Sequence, residues 1–467
     1  MSAAELWTLM PLLILGAGAL AILLLGAVAP GRYATAVGIA TTLGAALWSS
    51  QQPLLPTTAL SGLLFTPFAR FFTIFFALIT AAVLLIAHDH REKSGLRGEE
   101  YPASLLFAAF GMATVAAAGN LLTLFLGLEA LTFAFYILVA LDLNRTGSGE
   151  AGLKYLLLGA VSAAFIAFGI ALIFAGCGRL EIGAAMAASV TGDNFLAMAG
   201  WGMIIAGIAF KLSLVPAHLW TPDVYQGGPA PVIALLASGS KGGALVFLLL
   251  LFTDAGMPQF IRPPLWCLSL LSMLLGNLAA LRQPDIRRML GYSSVAQMGY
   301  LVLALLAGEN GGFEAAVYYL LIYAAMNLAA FGALALLEED DRPLRIDDLR
   351  GAGFRQPLAG GVLALAMFSL AGIPPTAGFF GKFFIFYAAL RQGELAIAIT
   401  GILSAAIAAY YYLRVVVNLY LQTGEPAVNK QGISIAGGIP LVAASLSLLW
   451  LGIFPGKLIE LIENILP

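Results

Sequence analysis

An all-α integral membrane protein of about fourteen transmembrane helices is the fold class this 467-residue sequence predicts. Three observations carry it. Hydrophobic residues make up 61% of the chain and charged residues only 10%, where a soluble domain carries about a quarter charged. Mean hydropathy is +0.94. Apolar runs of about 18 to 25 residues, the length that crosses a bilayer, recur from end to end. Against that background, Glu129, Lys211, Lys241 and Lys382 stand inside apolar stretches. Each lysine costs roughly 2.5 to 3.5 kcal/mol at a helix centre on insertion scales, and charge at that depth marks an ion or proton pathway by default.

The first run, Trp7 to Ala29, lacks the basic n-region of a signal peptide and is long enough to span, so it reads as the first membrane helix. Tyr33 to Trp48 is marginal in length, and Phe68 to Ala87 is closed by the basic loop HDHREKSGLR, whose His88 and His90 read as solvated. Ala103 to Ala118, Leu121 to Leu141 with Glu129, and Leu153 to Ala175 follow. The seventh span, Phe195 to Pro216, has Lys211 five residues before Pro216 and is expected to be interrupted there. Pro231 to Phe252 carries Lys241 among Ser238, Gly239, Ser240, Gly242 and Gly243. Pro264 to Leu281, Ile286 to Ala307 and Phe313 to Leu337 come next. The twelfth, Leu358 to Leu390, holds Pro374 and Pro375 beside Gly372 and Gly378, with Lys382 after them, and is the second broken helix. Leu395 to Leu421 and Gly437 to Phe454 complete the series.

The two broken, lysine-bearing helices are five helices apart, and a repeat with an odd number of helices inserts in the opposite sense the second time. Helices 4 to 8 and 9 to 13 therefore read as two inverted five-helix repeats. The corresponding units are residues 1–100, the repeats 101–253 and 254–425, and a C-terminal helix and tail at 426–467. Orientation follows from the basic residues. Arg32, Arg91, Lys93, Arg97, Arg145, Lys154, Arg282, Arg287, Arg288, Arg342, Arg345, Arg350, Arg355 and Lys430 fall on one side, against Arg179, Arg262, Arg391 and Lys457 on the other, with Arg70 near the outer end of the third helix. Both termini are thus expected outside, and the mixed-charge loop EEDDRPLRIDDLRGAGFRQP reads as a solvated cytoplasmic face.

A buried lysine is pushed toward neutrality by desolvation and back toward the charged form by a carboxylate, so moving the partner moves the proton. Glu129 is the natural partner of Lys211; a static ion pair joining two helices is the plainer reading. Lys241 has no evident carboxylate, and its small neighbours are expected to admit water and close helix approach, with snorkelling to an interface as the plainer reading; Gly378 and Gly381 are expected to leave room for water at Lys382. Ser293, Gln297 and Tyr300 share one face at i, i+4 and i+7, and Tyr411 and Asn418 are spaced i+7, so these are candidate relay groups as well as ordinary interhelical hydrogen-bonding residues. His218 is seven residues from Lys211 and is expected to share its face, either extending the relay or capping a loop. Lys154 and Arg414, at helix ends, read as snorkelling to the interface.

Several functions are excluded. A net charge of −2 with scattered basic residues argues against a nucleic-acid partner. Cys177 and Cys267 are too few for an iron–sulfur cluster. No glycine pattern stands in the strand–turn–helix context of a dinucleotide or flavin site, so no cofactor is expected in this chain, no metal site is assigned, and redox chemistry belongs elsewhere.

The stretches GIAFKLSLVPAHLWTPDVYQGGPAPVIALLASGSK, RRMLGYSSVAQMGYLVLAL, SLAGIPPTAGFFGKFF and FLGLEALTFAFYILVAL resemble the subunit N family of proton-pumping NADH-quinone oxidoreductase, respiratory complex I, over nearly the whole length. The larger antiporter-like relatives carry a long lateral helix for which this chain is too short. The resemblance implies fourteen helices with two inverted repeats, each half a proton channel, joined by a polar axis. It implies that Glu129 pairs with Lys211, that Lys241 is the central connecting lysine, and that Lys382 serves the second half-channel. NADH, FMN, iron–sulfur clusters and quinone are then held by partner subunits. The partners are other membrane-arm subunits, especially neighbouring antiporter-like ones, and membrane lipids, in a bacterial inner membrane. One departure is Gln297, where related antiporter-like subunits often carry histidine; an amide does not titrate. A cation/proton antiporter subunit and a purely structural membrane-arm subunit are the alternative readings.

Overall fold

The break expected in the seventh span falls immediately after Lys211, and the one in the twelfth span immediately before its proline pair. The computed structural model describes residues 3–29, 31, 33–52, 62–94, 98–142, 145–190, 194–338, 344–423 and 434–466. Among these the helices run α1 (Ala3–Val28), α2 (Ala34–Gln51), α3 (Pro67–Ser94), α4 (Glu100–Ala116), α5 (Leu121–Ala140), α6 (Thr146–Cys177), α7 (Ile182–Val190), α8 (Phe195–Lys211), α9 (Trp220–Gly227) and α10 (Ala230–Leu235). They continue with α11 (Lys241–Ala255), α12 (Arg262–Leu281), α13 (Ile286–Ala307), α14 (Gly312–Leu337), α15 (Ala352–Arg355), α16 (Pro357–Ala371), α17 (Ala377–Arg391), α18 (Leu395–Tyr420), α19 (Ile435–Ile453) and α20 (Gly456–Ile465). Each expected span falls on a helix or a pair of helices. Ten are long and apolar enough to cross a membrane by length and composition, with Phe195–Lys211 and Pro357–Ala371 as shorter apolar pieces at the two breaks.

In lipid the backbone must satisfy itself, which is why helices persist wherever the sequence is apolar and end only where a side chain or a turn can take over the free groups. Asn120 accepts from Thr123 N at 2.7 Å to start α5, and Asp285 accepts from Arg288 N at 2.8 Å to start α13. At the first break Ser213 takes a left-handed backbone with φ 62°, and its hydroxyl accepts from Thr221 at 2.6 Å. At the second, Gly372 supplies φ 85°, a conformation without penalty only for glycine.

The five segments from α4 to α11 and the five from α12 to α18 follow the same order, with the fourth of each broken. The centre is the segment from Ala230 to Thr253, buried along nearly its whole length and packed against α14 and α3; α13 and α14 are nearly as buried, and α1 and α6 lie at the periphery. Lys241 is therefore held at the axis of the bundle.

Three features differ from expectation. Leu236–Ser240 winds as a π-turn joining α10 to α11 immediately before Lys241. Helices α7, α9, α15 and α20 are additional; α20 is amphipathic, burying Ile462 against the bundle while Glu460 and Glu463 face outward. The mixed-charge loop is not solvated throughout, because Ile346 and Leu349 are buried and the backbone pairs Ile286 N with Leu344 O at 3.1 Å and Ile346 N with Pro284 O at 2.8 Å. Its apolar residues anchor it between its charges. Arg32, Arg97, Arg342 and Lys430 lie outside the described residues, as do the side chains of His90, Arg91 and Lys93.

Candidate functional site

Lys211 is the last residue of α8, at the negative end of the helix dipole, and its ammonium donates to Glu129 Oε1 at 3.0 Å and to Thr132 Oγ1 at 2.8 Å. The expected pair is thus present. The two side chains differ in setting, with 2% of Lys211 and 27% of Glu129 exposed on the chain taken alone.

Lys241 donates to Ser294 on α13 and stands over the Tyr225 ring at 5.4 Å. Ser294 also accepts from Tyr323 of α14 at 2.6 Å and lies 3.1 Å from the Tyr225 hydroxyl. The small residues around Lys241 serve the close helix approach that the sequence suggested and do not open space for water. A β-carbon on Gly239 would meet Met112 Sδ at 2.6 Å, one on Gly242 would meet Phe76 at 3.2 Å, and one on Gly243 would meet Leu131 at 3.1 Å. Glycine there lets α3, α4 and α5 close on the central helix, and the polar surroundings of Lys241 come from other helices.

A second cluster lies on α13 around Ser293 and Gln297. Gln297 donates to Tyr412 at 3.0 Å and accepts from Tyr319, and Ser293 meets the same Tyr412 hydroxyl. Gln297 Nε2 also reaches the Leu370 carbonyl at 3.5 Å. That carbonyl, with Ala371 O, holds the Lys382 ammonium at 2.7 and 3.2 Å. The break explains the contact: these carbonyls have no helical partner at the end of α16, so the ammonium takes them over. As at Lys241, glycine serves packing. A β-carbon on Gly378 would meet Ser369 O at 1.8 Å, and one on Gly381 would meet Tyr319 at 2.4 Å.

Tyr300 lies under Lys382, with its ring 5.6 Å from the ammonium, and its hydroxyl joins Ser404 at 2.9 Å and Asn277 at 3.0 Å. Tyr411 donates to Asn277 at 2.8 Å and belongs to this side branch; Asn418 instead bonds Arg414 O within its own helix. His218 does not share a face with Lys211, because the helix ends between them; it sits partly exposed in the turn, 6.4 Å from the Tyr292 ring. The shared-face expectation assumed an unbroken helix.

At the basic side of the bundle, charges that read as loop residues are interlocked. Lys154 is paired with Glu150 at 2.7 Å and Asp223 at 2.8 Å, so it does not merely snorkel, and Arg288 joins Asp223 at 2.5 Å. Arg287 is buried between Glu338 and the carbonyls of Gly228 at 2.7 Å and Gln226 at 3.2 Å. Arg414 caps the end of α12 through Leu281 O at 3.4 Å and through Gln283 O. Burial pushes the Asp223 carboxyl up, but Lys154 and Arg288 more than offset it and hold it below its ordinary value. A depressed carboxyl stabilises the fold above its unfolded pKa and loses that contribution as pH falls through its folded pKa. Asp223→Asn should therefore lower thermal stability at neutral pH, with the difference from the parent vanishing in acid; an equal difference at both pH values would count against the ion network.

The sequence did not single out Ser294, Tyr323, Tyr225, Tyr319 or Tyr412. Hydroxyl side chains in apolar helices are common, and only their convergence from α9, α13, α14 and α18 distinguishes these. Fold and site together define an antiporter-like membrane subunit: two broken helices, each with a lysine at its break, and a third lysine between them on the axis.

Comparison with known proteins agrees. Residues 118–408 match the family described as NADH:quinone oxidoreductase/Mrp antiporter, transmembrane. NADH-quinone oxidoreductase subunit N of Geotalea uraniireducens (strain Rf4) is 58% identical over 468 residues, covering 100% of both chains. A chain of respiratory complex I from Thermus thermophilus superposes with a TM-score of 0.84 at 32% identity, over 96% of this chain and 98% of that one. A chain of the Mrp complex from Dietzia sp. DQ12-45-1b shares the fold with a TM-score of 0.84 at 20% identity, over 98% of this chain and 97% of that one. The chain belongs to the NADH:quinone oxidoreductase/Mrp antiporter transmembrane family and, within it, to NADH-quinone oxidoreductase subunit N.

Proposed function

We propose that this chain is the proton-translocating subunit N of NADH-quinone oxidoreductase in a bacterial inner membrane, a translocase component that performs no covalent chemistry itself. NADH, FMN, iron–sulfur clusters and quinone are assigned to partner subunits, whose electron transfer drives the proton movement. The observation that carries the reading is the buried line of lysines and hydroxyls. Lys241 and Lys382 each hold an ammonium on neutral oxygens, with no carboxylate among their described partners. A buried charge without a counter-charge is poised to lose its proton, and a chain of hydroxyl and amide groups gives the proton somewhere to go.

Residues 101–253 and 254–425 are assigned as the two half-channels, with Lys241 between them. Protonation alternates in this scheme. A charged Lys211 is favoured by Glu129 at 3.0 Å, and withdrawal of that carboxylate releases the proton toward Lys241. Gln297 bonds Tyr412, Tyr319 and the Leu370 carbonyl that also holds Lys382, and it carries no titrating group.

Glu129 also bears on partners. It lies on one face of α5 with Leu122, Leu126, Phe133 and Ile137, all exposed on the chain taken alone. A carboxylate on a lipid-facing stripe is costly, and a neighbouring antiporter-like subunit covering this face removes the penalty.

Lys382→Arg tests the role of the second lysine. Arginine keeps the charge and can bond the Leu370 and Ala371 carbonyls, but it does not deprotonate at physiological pH. The variant is expected to assemble and oxidise NADH with impaired proton pumping in membrane vesicles. Pumping at the parent rate in an intact complex would make Lys382 a static dipole anchor.

A further inference from the structure

The hydrogen bonds of the axis leave an interval open between the first pair and the central lysine. They run from Glu129 through Lys211 to Thr132, and resume at Lys241 with Ser294. Two tyrosines occupy the space between. Tyr136 lies seven residues beyond Glu129 on α5, two turns along the same face, and within electrostatic range of its carboxylate. Its hydroxyl is buried and has no hydrogen-bond partner among the described residues. Such a group is costly, and phenylalanine would pack the same space without the penalty.

The neighbouring helix is shaped around that hydroxyl. Gly159 on α6 has no β-carbon to obstruct it; one built there would stand 1.8 Å from the Tyr136 oxygen. One turn earlier on α6, Tyr155 meets the Tyr136 ring edge-on at 4.8 Å between centroids. Tyr155 is fully buried and fixed by stacking on Trp220 at 4.5 Å, with Ser240 beside its hydroxyl. Ser240 ends the π-turn, and the next residue is Lys241.

We propose that Tyr136 and Tyr155, with Ser240, form the relay that carries a proton from the Glu129–Lys211 pair to Lys241. A hydroxyl passes a proton without ionising: its oxygen takes one up as its own hydrogen leaves for the next acceptor. A proton released by the pair enters at Tyr136, Tyr155 and Ser240 repeat the exchange, and neutral Lys241 receives one. Each hydroxyl ends with the single proton it began with. The missing β-carbon of Gly159 leaves the place that the Tyr136 hydroxyl occupies, and the return of the relay needs only rotation of each O–H about its C–O bond.

This inference rests on the proposed proton-translocating function, and the experiment separates the two. Tyr136→Phe, Tyr155→Phe, Gly159→Ala and Lys241→Ala are introduced into the assembled complex in membrane vesicles, and protons pumped per NADH oxidised are measured. Gly202→Ala, a position where a β-carbon meets nothing within 4 Å, is the control. Both phenylalanine variants and Gly159→Ala are expected to assemble and to pump at a ratio lowered toward that of Lys241→Ala, with Gly202→Ala unchanged. Parent ratios in both phenylalanine variants beside a deficient Lys241→Ala would overturn the relay and leave the function standing. A parent ratio in Lys241→Ala would overturn both. Failure of both phenylalanine variants to assemble would make the hydroxyls structural and also overturn the relay.

Discussion

Lys241→Ala is expected to leave the complex assembled while proton pumping coupled to NADH oxidation falls sharply. Assembly survives because the partners of Lys241 do not depend on it. Ser294 keeps its bonds with Tyr323 at 2.6 Å and Tyr225 at 3.1 Å, so no buried hydroxyl is stranded. Removing the ammonium also removes a desolvated charge, which offsets part of the packing lost with the aliphatic stem. Pumping fails because alanine offers no proton acceptor at the midpoint between the two broken helices. Vesicle measurements of proton uptake against NADH oxidation read this directly, and unchanged pumping in an intact complex would exclude Lys241 as an obligatory relay.

The charged groups of the axis were visible in the sequence because the membrane makes them conspicuous: Glu129, Lys211, Lys241 and Lys382 each interrupt an apolar stretch. The breaks were visible for a related reason, since Pro216 and the pair Pro374 and Pro375 remove backbone donors where lipid offers no substitute. The surroundings of the lysines were not visible. The glycines beside Lys241 and Lys382 suggested space, yet their missing side chains are replaced by Met112, Phe76, Leu131 and Tyr319 from other helices. The π-turn before Lys241 has no sequence signature here, because it is settled by packing in the wholly buried centre. His218 shows the opposite error: helical periodicity was extended across a break that the same sequence announced. The charges interlocking Lys154, Asp223 and Arg288 come from three helices, and a one-dimensional reading places them in separate loops.

Glu129→Ala and Lys211→Ala are each expected to damage assembly or pumping more than their combination would suggest by addition. The pair is joined at 3.0 Å, and only Thr132 Oγ1, at 2.8 Å, otherwise supports the Lys211 ammonium. Without Glu129 the lysine is a buried cation on one neutral hydroxyl; without Lys211 the carboxylate loses its counter-charge. Breaking a buried pair from one side costs about 3 to 5 kcal/mol. The 27% exposure of Glu129 does not reduce this in the way surface exposure reduces a soluble ion pair, since what it faces on this part of the helix is lipid or a partner subunit. The double variant carries neither orphaned charge, so its defect should be milder than the sum of the two single defects, with a coupling on the order of 0.5 to 3 kcal/mol. A double-mutant cycle on the thermal stability of the purified complex measures this coupling, and the same cycle on pumping asks whether it reaches function. Simple additivity in both would mean that the two groups, although adjacent, are not energetically coupled.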